Sequence, residues 1–456
     1  MSVTTEIPSA AGKLARFHRR YFAQRIIYAW ELPSIMRKHI YTGVMGSIYF
    51  NLIAGLFFLD FGNRIGVSLF EWGLMGGISS FLLSAQLLSA YVTRQAGRRK
   101  AVWFWFAVAG RATRFTGILV AFVLFQTGWS HASVVLVAAT CTANFLMAMT
   151  IPPWYSWLAD IIPEEHHGGF WGRRTWWIHL AIICVIIPAA LVVDRTSDEA
   201  RLWVLMGFFL VALVVGLLDL VIHGTIPEPG MKLAESRHFL HDLLEPVLDA
   251  AFRPWLVFNM CWTFSMTLGG SLANIHFLTD LGIERNMMWG AAVLVVLPLA
   301  GGLFTARRSG ALVDRVGPKR VLFWGHLFWS VLPLFWVWAT PETALVWLSI
   351  SSVVGGSSSA IAMVAANKLI TRFPPPGHKV AMYVAVSSCL GSLAGGVGAV
   401  AAGTVMKLVP DASWQALGTT VGAFQLLFIV SFLLRFVTAV TLLPRLRNPN
   451  RTGAST

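Results

Sequence analysis

Charged residues are scarce in this chain of 456 amino acids. Aspartate, glutamate, lysine and arginine together make up 12% of it, whereas hydrophobic residues make up 56%. Soluble globular domains carry about 25% charged residues, so a soluble fold is excluded. Because only helices and closed barrels satisfy their backbone hydrogen bonds in lipid, the long apolar runs predict an all-α integral membrane protein.

Cysteines and enzyme motifs are also scarce. The four cysteines lie within apolar runs, without the spacing of a metal or redox site, and are expected to be small core residues. The sequence has no Walker motif for ATP, no nucleophile elbow and no HExxH zinc motif. We therefore expect a protein that is not an enzyme and that uses no cofactor or metal.

Twelve apolar runs are each long enough to cross a bilayer, which takes about 20 helical residues. Numbered as spans 1 to 12, they cover 40–62, 69–92, 101–126, 131–154, 175–194, 202–223, 255–279, 287–306, 320–340, 343–366, 380–406 and 415–443. The predicted domains are a basic N-terminal segment (1–39), a six-helix half (40–223), a linker (224–254), a second six-helix half (255–443) and a tail (444–456). Within the linker, a helix is expected from Glu235 to Ala251.

The 35 lysine and arginine residues outnumber the 21 acidic residues, and most lie on one side of the predicted bundle. They occupy the N-terminus, the loops after even-numbered spans and the tail. By the positive-inside rule, this distribution predicts that both termini are cytoplasmic, and it argues against a nucleic-acid partner. The basic, aromatic stretch 13–39 is predicted to be either a helix on the inner leaflet or an orientation signal without fixed structure.

Two loops of similar sequence indicate an internal duplication. The loop after span 8 reads GALVDRVGPKR (Gly310–Arg320), and the loop after span 2 reads AYVTRQAGRRK (Ala90–Lys100). Their shared glycines, Gly317 and Gly97, are 220 residues apart, which is close to half the chain. A glycine at this position permits a tight reversal between helices, and Gly310 is expected to permit close helix packing.

At these residues the sequence resembles the major facilitator superfamily, whose loop signature reads G-x-L-x-D-R-x-G-R-K-x-x-L. The second loop matches it at Gly310, Leu312, Asp314, Arg315, Gly317, Lys319 and Leu322, and the first loop keeps Gly97, Arg98 and Arg99. The resemblance implies twelve helices in two pseudo-symmetric six-helix halves, which transport a solute by alternating access. It also implies a cytoplasmic gate built from these residues, with Asp314 paired to Arg173 or Arg174 at the start of span 5.

A second signature, PPWYSWLADIIPEEHHGGFWGRR, ends span 4. It is similar to the pattern D-x-x-P-x-x-x-R-G-x-x-x-G-x-R, which occurs in many bacterial members of the same superfamily. The matching residues are Asp160, Pro163, Gly168, Gly172 and Arg174, and His167 stands in place of the first arginine. The resemblance implies a bacterial inner-membrane protein in which Asp160 and Arg174 belong to the cytoplasmic charge network.

Ionisable residues deep in a bilayer are costly and point to function. At a rise of about 1.5 Å per residue, Arg111 and Arg114 lie near the middle of span 3, on one helix face. They are expected either to bind an anionic substrate, such as a carboxylate, phosphate or sulfonate, or to form structural ion pairs. At least one of the two is expected to be structural. Asp219 and Arg435 lie within two turns of helix ends and are expected to reach the interface.

Spans 1, 4, 7 and 10 mostly line the cavity in the superfamily, so the resemblance makes polar residues on them candidate substrate ligands. These candidates are Asn51, Asn144, Asn274 and His276. The alternative is that such side chains only join helices by hydrogen bonds. Asp60, near the outer end of span 1, is either a coupling site for H⁺ or Na⁺ or an exposed acid at a helix end.

The sequence thus predicts a secondary active transporter that moves a small solute across the membrane and that can be coupled to H⁺ or another ion. It is expected to contact lipid and to function as a monomer. The alternative is a non-transporting protein of the same fold that serves in membrane assembly, pigment delivery or sensing. A polar cavity in the middle of the bundle distinguishes the two, because a transporter needs one.

Overall fold

The computed structural model describes residues 22–231, 239–370, 380–409, 413–416 and 419–446, with side chains at all of these positions except 164–169, 239–243, 306–307, 380–381 and 415–420. Eleven helices in this part of the chain are long and apolar enough to cross a membrane. The remaining span, span 7, is more polar, since it carries Asn259, Thr263 and Ser265, and its first helix ends at Gly270. The predicted all-α membrane fold is confirmed.

The first half contains spans 1 to 6. Their helices are Leu32–Ala54 with Leu56–Arg64 (span 1), Leu69–Leu82 with Ala85–Ala96 (span 2), Arg99–Gln126 (span 3), Ala132–Ala148 with Ile151–Ile161 (span 4), Glu164–Asp194 (span 5) and Asp198–Gly224 (span 6). Span 4 breaks just before Pro152 and Pro153, because proline has no N–H to continue the helical hydrogen bonds. The Ser89 hydroxyl of span 2 donates to the carbonyl of Met149 at this break.

The second half contains spans 7 to 12. Their helices are Arg253–Gly270 with Ala273–Thr279 (span 7), Met287–Ala291 and Leu297–Val316 around a π-helical turn at Ala292–Val296 (span 8), Pro318–Ser330 with Leu332–Val337 (span 9), Ala344–Ile370 (span 10), Val380–Leu408 (span 11) and Ala423–Leu442 (span 12). Short 3₁₀ helices lie at Ile283–Arg285 and Leu443–Arg445.

Span 12 begins later than its hydrophobic pattern predicted. Ser413–Ala416 and Thr419–Gly422 pair as short antiparallel strands, with Ser413 opposite Gly422, and the helix starts at Ala423. The second strand reads TTVG, and β-branched threonine and valine favour extended backbone over helix. The prediction of helix from residue 415 is therefore wrong for this stretch.

The segment before span 1 contacts the linker. Residues 22–28 are not helical, and Gln24 forms an isolated parallel bridge with Glu228. A 3₁₀ turn at Ala29–Glu31 leads into span 1. The prediction of a surface helix over 13–39 is thus wrong for 22–28, while 13–21 lie outside the described residues. The linker helix covers Phe239–Leu248, within the predicted range, and 235–238 lie outside the described residues.

Among the described residues, the two halves share a core at only one end of the bundle. We call the end that carries Phe22 and Leu446 the terminus face, and the opposite end the far face. Toward the far face, one hydrophobic core includes residues of both halves, among them Phe61 and Phe424. Toward the terminus face, each half has its own core, around Trp157 in the first half and around Trp262 and other residues in the second. The structure is therefore closed at the far face and separated at the terminus face.

Backbone contacts hold the far face closed. Gly73 of span 2 lies against Gly403 of span 11, so close that a Cβ on Gly73 would lie 2.6 Å from the Gly403 Cα. The Asp194 carboxylate at the end of span 5 accepts hydrogen bonds from the backbone N–H groups of Met287 (2.5 Å) and Met288 (2.9 Å) at the start of span 8. Both contacts join one half to the other.

Candidate functional site

Two adjacent cavities lie in the first half. The Arg114 cavity, of about 370 Å³, lies between spans 1, 2, 3 and 4. The Arg111 cavity, of about 230 Å³, lies between spans 1, 3, 4, 5 and 6. Thr150 and Ile151, at the break in span 4, border both of them. The first half therefore contains two cavities whose walls each include a buried arginine and other polar side chains.

Arg114 is a buried cation in the wall of its cavity. Its side chain is 6% exposed, and its Nη2 donates a hydrogen bond to Oδ1 of Asn144 in span 4. The Asn144 amide nitrogen in turn donates to the Ser79 hydroxyl at 2.6 Å. Among the described residues, no carboxylate forms an ion pair with Arg114. Because a buried and unbalanced charge is costly, this position favours an anionic ligand.

Arg111, one turn earlier, is neutralised within the protein. Its Nη2 pairs with Oδ2 of Asp219 in span 6, and its Nη1 donates to the carbonyl of Gly216. Asp219 is 2% exposed, so the expectation that it reaches the interface is wrong. The sequence analysis used only the distance of Asp219 from the end of its helix. That distance does not show which face of the helix the side chain is on, and in the structure the carboxylate faces the interior of the bundle. Arg111 is thus the arginine held in a structural ion pair.

The expectation for Arg435 is wrong for the same reason. This arginine of span 12 is 1% exposed, and its Nη2 donates to the Met266 carbonyl at 3.2 Å. Its guanidinium carbon lies 5.9 Å from the centroid of the Trp336 ring. Arg435 therefore packs between helices of the second half and does not extend to the interface.

A histidine and a tryptophan extend the Arg111–Asp219 pair to the cavity wall. His223 Nδ1 lies 2.7 Å from Oδ1 of Asp219, and the Trp154 indole nitrogen lies 3.3 Å from His223 Nε2. Because an indole N–H can only donate, His223 accepts at Nε2 and carries its proton on Nδ1. The sequence analysis missed His223, although its spacing of four residues from Asp219 places both on one helix face.

Arg174 is a second cation at the cavity wall. Its guanidinium carbon lies 5.2 Å from the centroid of the Trp154 ring and 5.5 Å from that of Trp171. Span 1 has a glycine here, and a Cβ on Gly43 would lie 2.7 Å from the Arg174 Nε. Arg174 has no carboxylate partner among the described residues. The aromatic rings thus hold the guanidinium by cation–π contact rather than by an ion pair.

The gate residues of the second loop lie at the end of span 8. Asp314 pairs with Lys368 of span 10, Lys319 donates to a backbone carbonyl after span 12 at 2.7 Å, and Arg315 is exposed. Asp314 is not paired with Arg174 in this conformation, in which the terminus face is separated and Arg174 lies between tryptophans of the first half. The pairing expected for a closed terminus face therefore stays a prediction. The other expected partner, Arg173, is exposed.

Two of the three signature glycines adopt a backbone that favours glycine. Gly97 and Gly317 end spans 2 and 8 with φ of 61° and 93°. Other residues are strained at such angles, which explains the shared glycine of the two loops. A Cβ on Gly310 would meet nothing within 4 Å, so its expected role in close helix packing is wrong for this conformation.

The first loop contacts the end of span 4 and the linker. Arg99 is 1% exposed and pairs with Asp160, so the two signatures meet in space. Its backbone N–H donates to Oε1 of Glu228 at 2.6 Å. Arg98 is exposed, and the side chains of residues 167 and 168 lie outside the described part. Glu228 was missed by the sequence analysis, because nothing in a polar linker distinguishes a carboxylate that is 0% exposed.

Asp60 belongs to an ion-pair network near the far face. It is 1% exposed, and its two oxygens accept from Arg64 (3.0 Å) and Arg201 (2.8 Å). Arg201 also donates to the carbonyl of Glu284 at 2.9 Å, which joins the first half to the second. The interpretation of Asp60 as an exposed acid is therefore wrong.

The other candidate ligands lie apart from the two cavities. Asn51 donates to the Ser47 carbonyl of its own helix at 2.9 Å. Asn274 is exposed, and His276 lies with its ring centroid 4.4 Å from that of Phe424. His276 Nδ1 lies 2.7 Å from an oxygen of Asp280. Burial acts to raise the pKa of Asp280, but the hydrogen bond and charge of His276 and a hydrogen bond from Thr279 together outweigh it and hold the pKa below its usual value. Neither Asn274 nor His276 borders the Arg111 or Arg114 cavity.

The second half has a polar cavity of its own near the terminus face. It measures about 430 Å³ and lies between spans 7, 10 and 11. Its wall includes Asn259, Thr263, Asn367 and Ser387, and the Asn259 amide donates to the Ser387 carbonyl at 2.8 Å. This wall carries amides and hydroxyls without a charged side chain, whereas the Arg111 and Arg114 cavities carry arginine.

The sequence was compared with known proteins. No family model matches the chain. The chain is 36% identical over 96 residues to a protein of Arabidopsis thaliana described as probable anion transporter 3, chloroplastic. The aligned stretch covers 20% of this chain and 19% of the relative. A second protein from the same plant, described as probable anion transporter 4, chloroplastic, is 29% identical over 115 residues. That alignment covers 25% of this chain and 19% of the relative. The match thus spans about a fifth of the length of these curated relatives.

Solved structures resemble the whole bundle. The nucleoside transporter NupG superposes with a TM-score of 0.63 at 10% identity, over 90% of this chain and 98% of that one. The inward open conformation of the xylose transporter XylE from E. coli gives a TM-score of 0.65 at 13% identity, over 92% and 98% of the two chains. At such identities the likeness shows the fold alone, and this chain shares that fold with NupG and XylE over most of its length.

Proposed function

We propose that the protein is a secondary active transporter that moves a small anion across the membrane by alternating access. The observation that carries this proposal is Arg114, a buried cation at a cavity with no carboxylate partner among the described residues. The fold is shared with proteins described as transporters, and the curated relatives are described as probable anion transporters. A non-transporting assembly protein has no evident use for an unbalanced charge in its interior.

In this proposal Arg114 is the main contact of the bound anion, and Arg174 is a further contact. Asn144 orients the Arg114 guanidinium through its side-chain oxygen, while Trp154 and Trp171 hold that of Arg174. Both arginines keep planar groups that can form two parallel hydrogen bonds to a carboxylate, phosphate or sulfonate. Arg111 stays paired with Asp219 and does not contact the anion in this proposal.

We also propose a bacterial inner membrane as the location, with both termini in the cytoplasm and a monomer as the functional unit. The concentration of basic residues on the terminus face supports this orientation, and the pattern after span 4 supports the bacterial type. The structure is then open toward the cytoplasm, because the far face is closed. Asp60 serves the far-face contact through Arg201, and we assign it no ion-coupling role.

Exchange across proteoliposomes tests the function. Liposomes loaded with unlabelled phosphate, succinate or benzoate are diluted into the labelled anion, and uptake is compared with that of protein-free liposomes. We expect at least one anion to exchange, and its neutral analogue, such as benzyl alcohol for benzoate, not to compete. If no anion exchanges and none raises the melting temperature, the proposed function is wrong. A bound ligand at a hundredfold excess over Kd stabilises the fold by about 2.7 kcal/mol, so binding is readily seen.

Locking the far face is expected to stop transport. The substitutions Asp194→Cys and Met287→Cys, in a chain whose native cysteines are replaced by serine, put two thiols where the halves meet. After cross-linking with a short bifunctional reagent we expect uptake to fall to the protein-free level, and reduction to restore it. Anion binding should persist, because the cavities stay accessible from the terminus face.

The matched control uses a far-face contact within one half. Arg64 and Asp198 lie 3.0 Å apart between spans 1 and 6, and Arg64→Cys with Asp198→Cys cross-links helices that move together. This cross-link should leave transport largely intact. Full transport by the Asp194–Met287 cross-linked protein would contradict alternating access at this face.

A further inference from the structure

The charged residues that border the Arg111 and Arg114 cavities do not balance. Arg111, Arg174 and Asp219 border the first cavity, and Arg114 is the charged residue of the second. Arg111 and Asp219 pair with each other, so Arg114 and Arg174 each keep a positive charge that no carboxylate in these walls offsets. Because a charge in the interior is costly unless it is paired, the two cavities together favour a ligand with two negative charges.

Both arginines also keep N–H groups with which they can bind a ligand. Arg114 donates from Nη2 to Asn144, and its Nη1 and Nε have no hydrogen-bond partner among the described residues. Arg174 forms no hydrogen bond with any described residue, since its guanidinium contacts only the faces of tryptophan rings. A planar guanidinium with several N–H groups left can bind a carboxylate by two parallel hydrogen bonds.

The two guanidinium groups lie at different depths in the bundle. The Arg174 guanidinium lies against Gly43, near the start of span 1, where a Cβ would be 2.7 Å from its Nε. The Arg114 guanidinium carbon lies 5.6 Å from the ring centroid of Phe58, in the second helix of the same span. Gly43 and Phe58 are 15 residues apart, which is about 20 Å of helix at about 1.5 Å per residue. A ligand therefore needs two separated anionic groups to contact both arginines.

The two cavities meet at a stretch of wall that carries no charge. Thr150 and Ile151, at the break in span 4, border both cavities. The Arg114 cavity is otherwise lined mainly by apolar side chains, among them Phe50, Ile53 and Met147. Burying a polar group against such a wall without a hydrogen bond is costly, whereas an apolar chain can lie there. The part of the ligand between its two anionic groups should therefore be uncharged.

We propose that the transported anion is an α,ω-dicarboxylate, in which an uncharged chain joins two carboxylates. One carboxylate binds Arg114, the other binds Arg174, and the chain passes Thr150 and Ile151. This proposal rests on the proposed anion transport and defines the chemical class of the anion. Arg174 is then the residue by which the protein distinguishes a dianion from a monoanion.

The test compares each dicarboxylate with its own monomethyl ester, which has nearly the same length but only one negative charge. Calorimetric titration gives Kd for succinate, adipate, suberate and sebacate at pH 7.5, where both carboxyl groups are ionised. For the unmodified protein we expect the best dicarboxylate to bind at least about tenfold more tightly than its ester. Phosphate and benzoate should bind no more tightly than the esters, because neither reaches both arginines.

Substitution of Arg174 shows whether it binds the second carboxylate. In Arg174→Gln the dicarboxylate should bind about as weakly as its ester, while the Kd of the ester changes by less than about threefold. Ester binding by this variant also shows that its Arg114 cavity is intact. Arg37→Gln is the matched control, because Arg37 is exposed and borders neither cavity. This control should keep the full preference for the dicarboxylate.

The outcomes separate this proposal from the proposed function. A dicarboxylate that binds no better than its ester to the unmodified protein, or a preference that survives in Arg174→Gln, would overturn the dicarboxylate site. Anion transport would still stand in that case if phosphate or benzoate exchanges in proteoliposomes. Absence of binding and exchange for every anion would overturn the proposed function, and this proposal with it.

Discussion

Replacing Arg114 with glutamine is expected to weaken anion binding at least about thirtyfold. Glutamine can still donate a hydrogen bond to Asn144, but it carries no charge for the ligand. Removing one member of a buried, hydrogen-bonded charge pair costs about 2–5 kcal/mol, which corresponds to about 30-fold to about 5,000-fold in Kd. The measurement is calorimetric titration of the purified protein with the anion that exchanges in proteoliposomes.

The same substitution should not destabilise the unliganded protein. Because Arg114 has no carboxylate partner among the described residues, glutamine removes a buried charge that nothing in the protein offsets. We expect the melting temperature without ligand to stay equal or rise. Arg114→Lys is the matched control: it keeps the charge but loses the planar fork, so its affinity should be intermediate. A folded Arg114→Gln protein that binds the anion with unchanged Kd would contradict the assigned role.

Arg111 and Arg114 of span 3 show which properties of the site can be predicted from the sequence. Depth along the helix placed Arg111 and Arg114 in the middle of the bundle and predicted that one of them is structural. It did not predict which one, because their partners Asp219 and Asn144 come from helices about 110 and 30 residues away along the chain. Only the packing of spans 3, 4 and 6 decides that Arg111 is neutralised and that Arg114 is not.

The residues of the two loops at the terminus face show that local backbone structure is predictable from the sequence, whereas ion-pair partners are not. Loop spacing and glycine predicted the helix reversals at Gly97 and Gly317, because backbone angles are a local property. The partners of the charged residues are not local. Arg99 contacts Asp160 and the linker residue Glu228, and Asp314 contacts Lys368. In the proposed alternating access, their identity depends on which face of the bundle is open, and the sequence alone does not specify one of the two conformations.

The hydrophobic pattern predicted the fold more fully than the site. The length and polarity of apolar runs placed the spans, since a bilayer sets one thickness for all of them. The pattern failed at Thr419–Gly422, where apolar and β-branched residues form a strand at the end of the bundle. It failed also for Asp219, because hydropathy along the chain does not record the direction in which a side chain points.

Asp219→Asn is expected to lower the free energy of unfolding by about 3–5 kcal/mol, the usual cost of breaking a buried ion pair. Asparagine keeps the shape but leaves Arg111 charged, with no other ion-pair partner among the described residues, and it also weakens the hydrogen bond to His223. Thermal or urea unfolding in detergent measures the loss. As a surface control, Asp198→Asn removes a carboxylate that is 85% exposed, and about 1 kcal/mol or less should be lost.

The double substitution Arg111→Met with Asp219→Leu separates charge from packing. If the loss in Asp219→Asn comes from the uncompensated guanidinium, removing both charges should recover most of the stability, because apolar side chains of similar volume replace buried ion pairs at little cost. If the double variant is as unstable as the single one, packing around span 6 is responsible, and Arg111 is not the structural arginine inferred here.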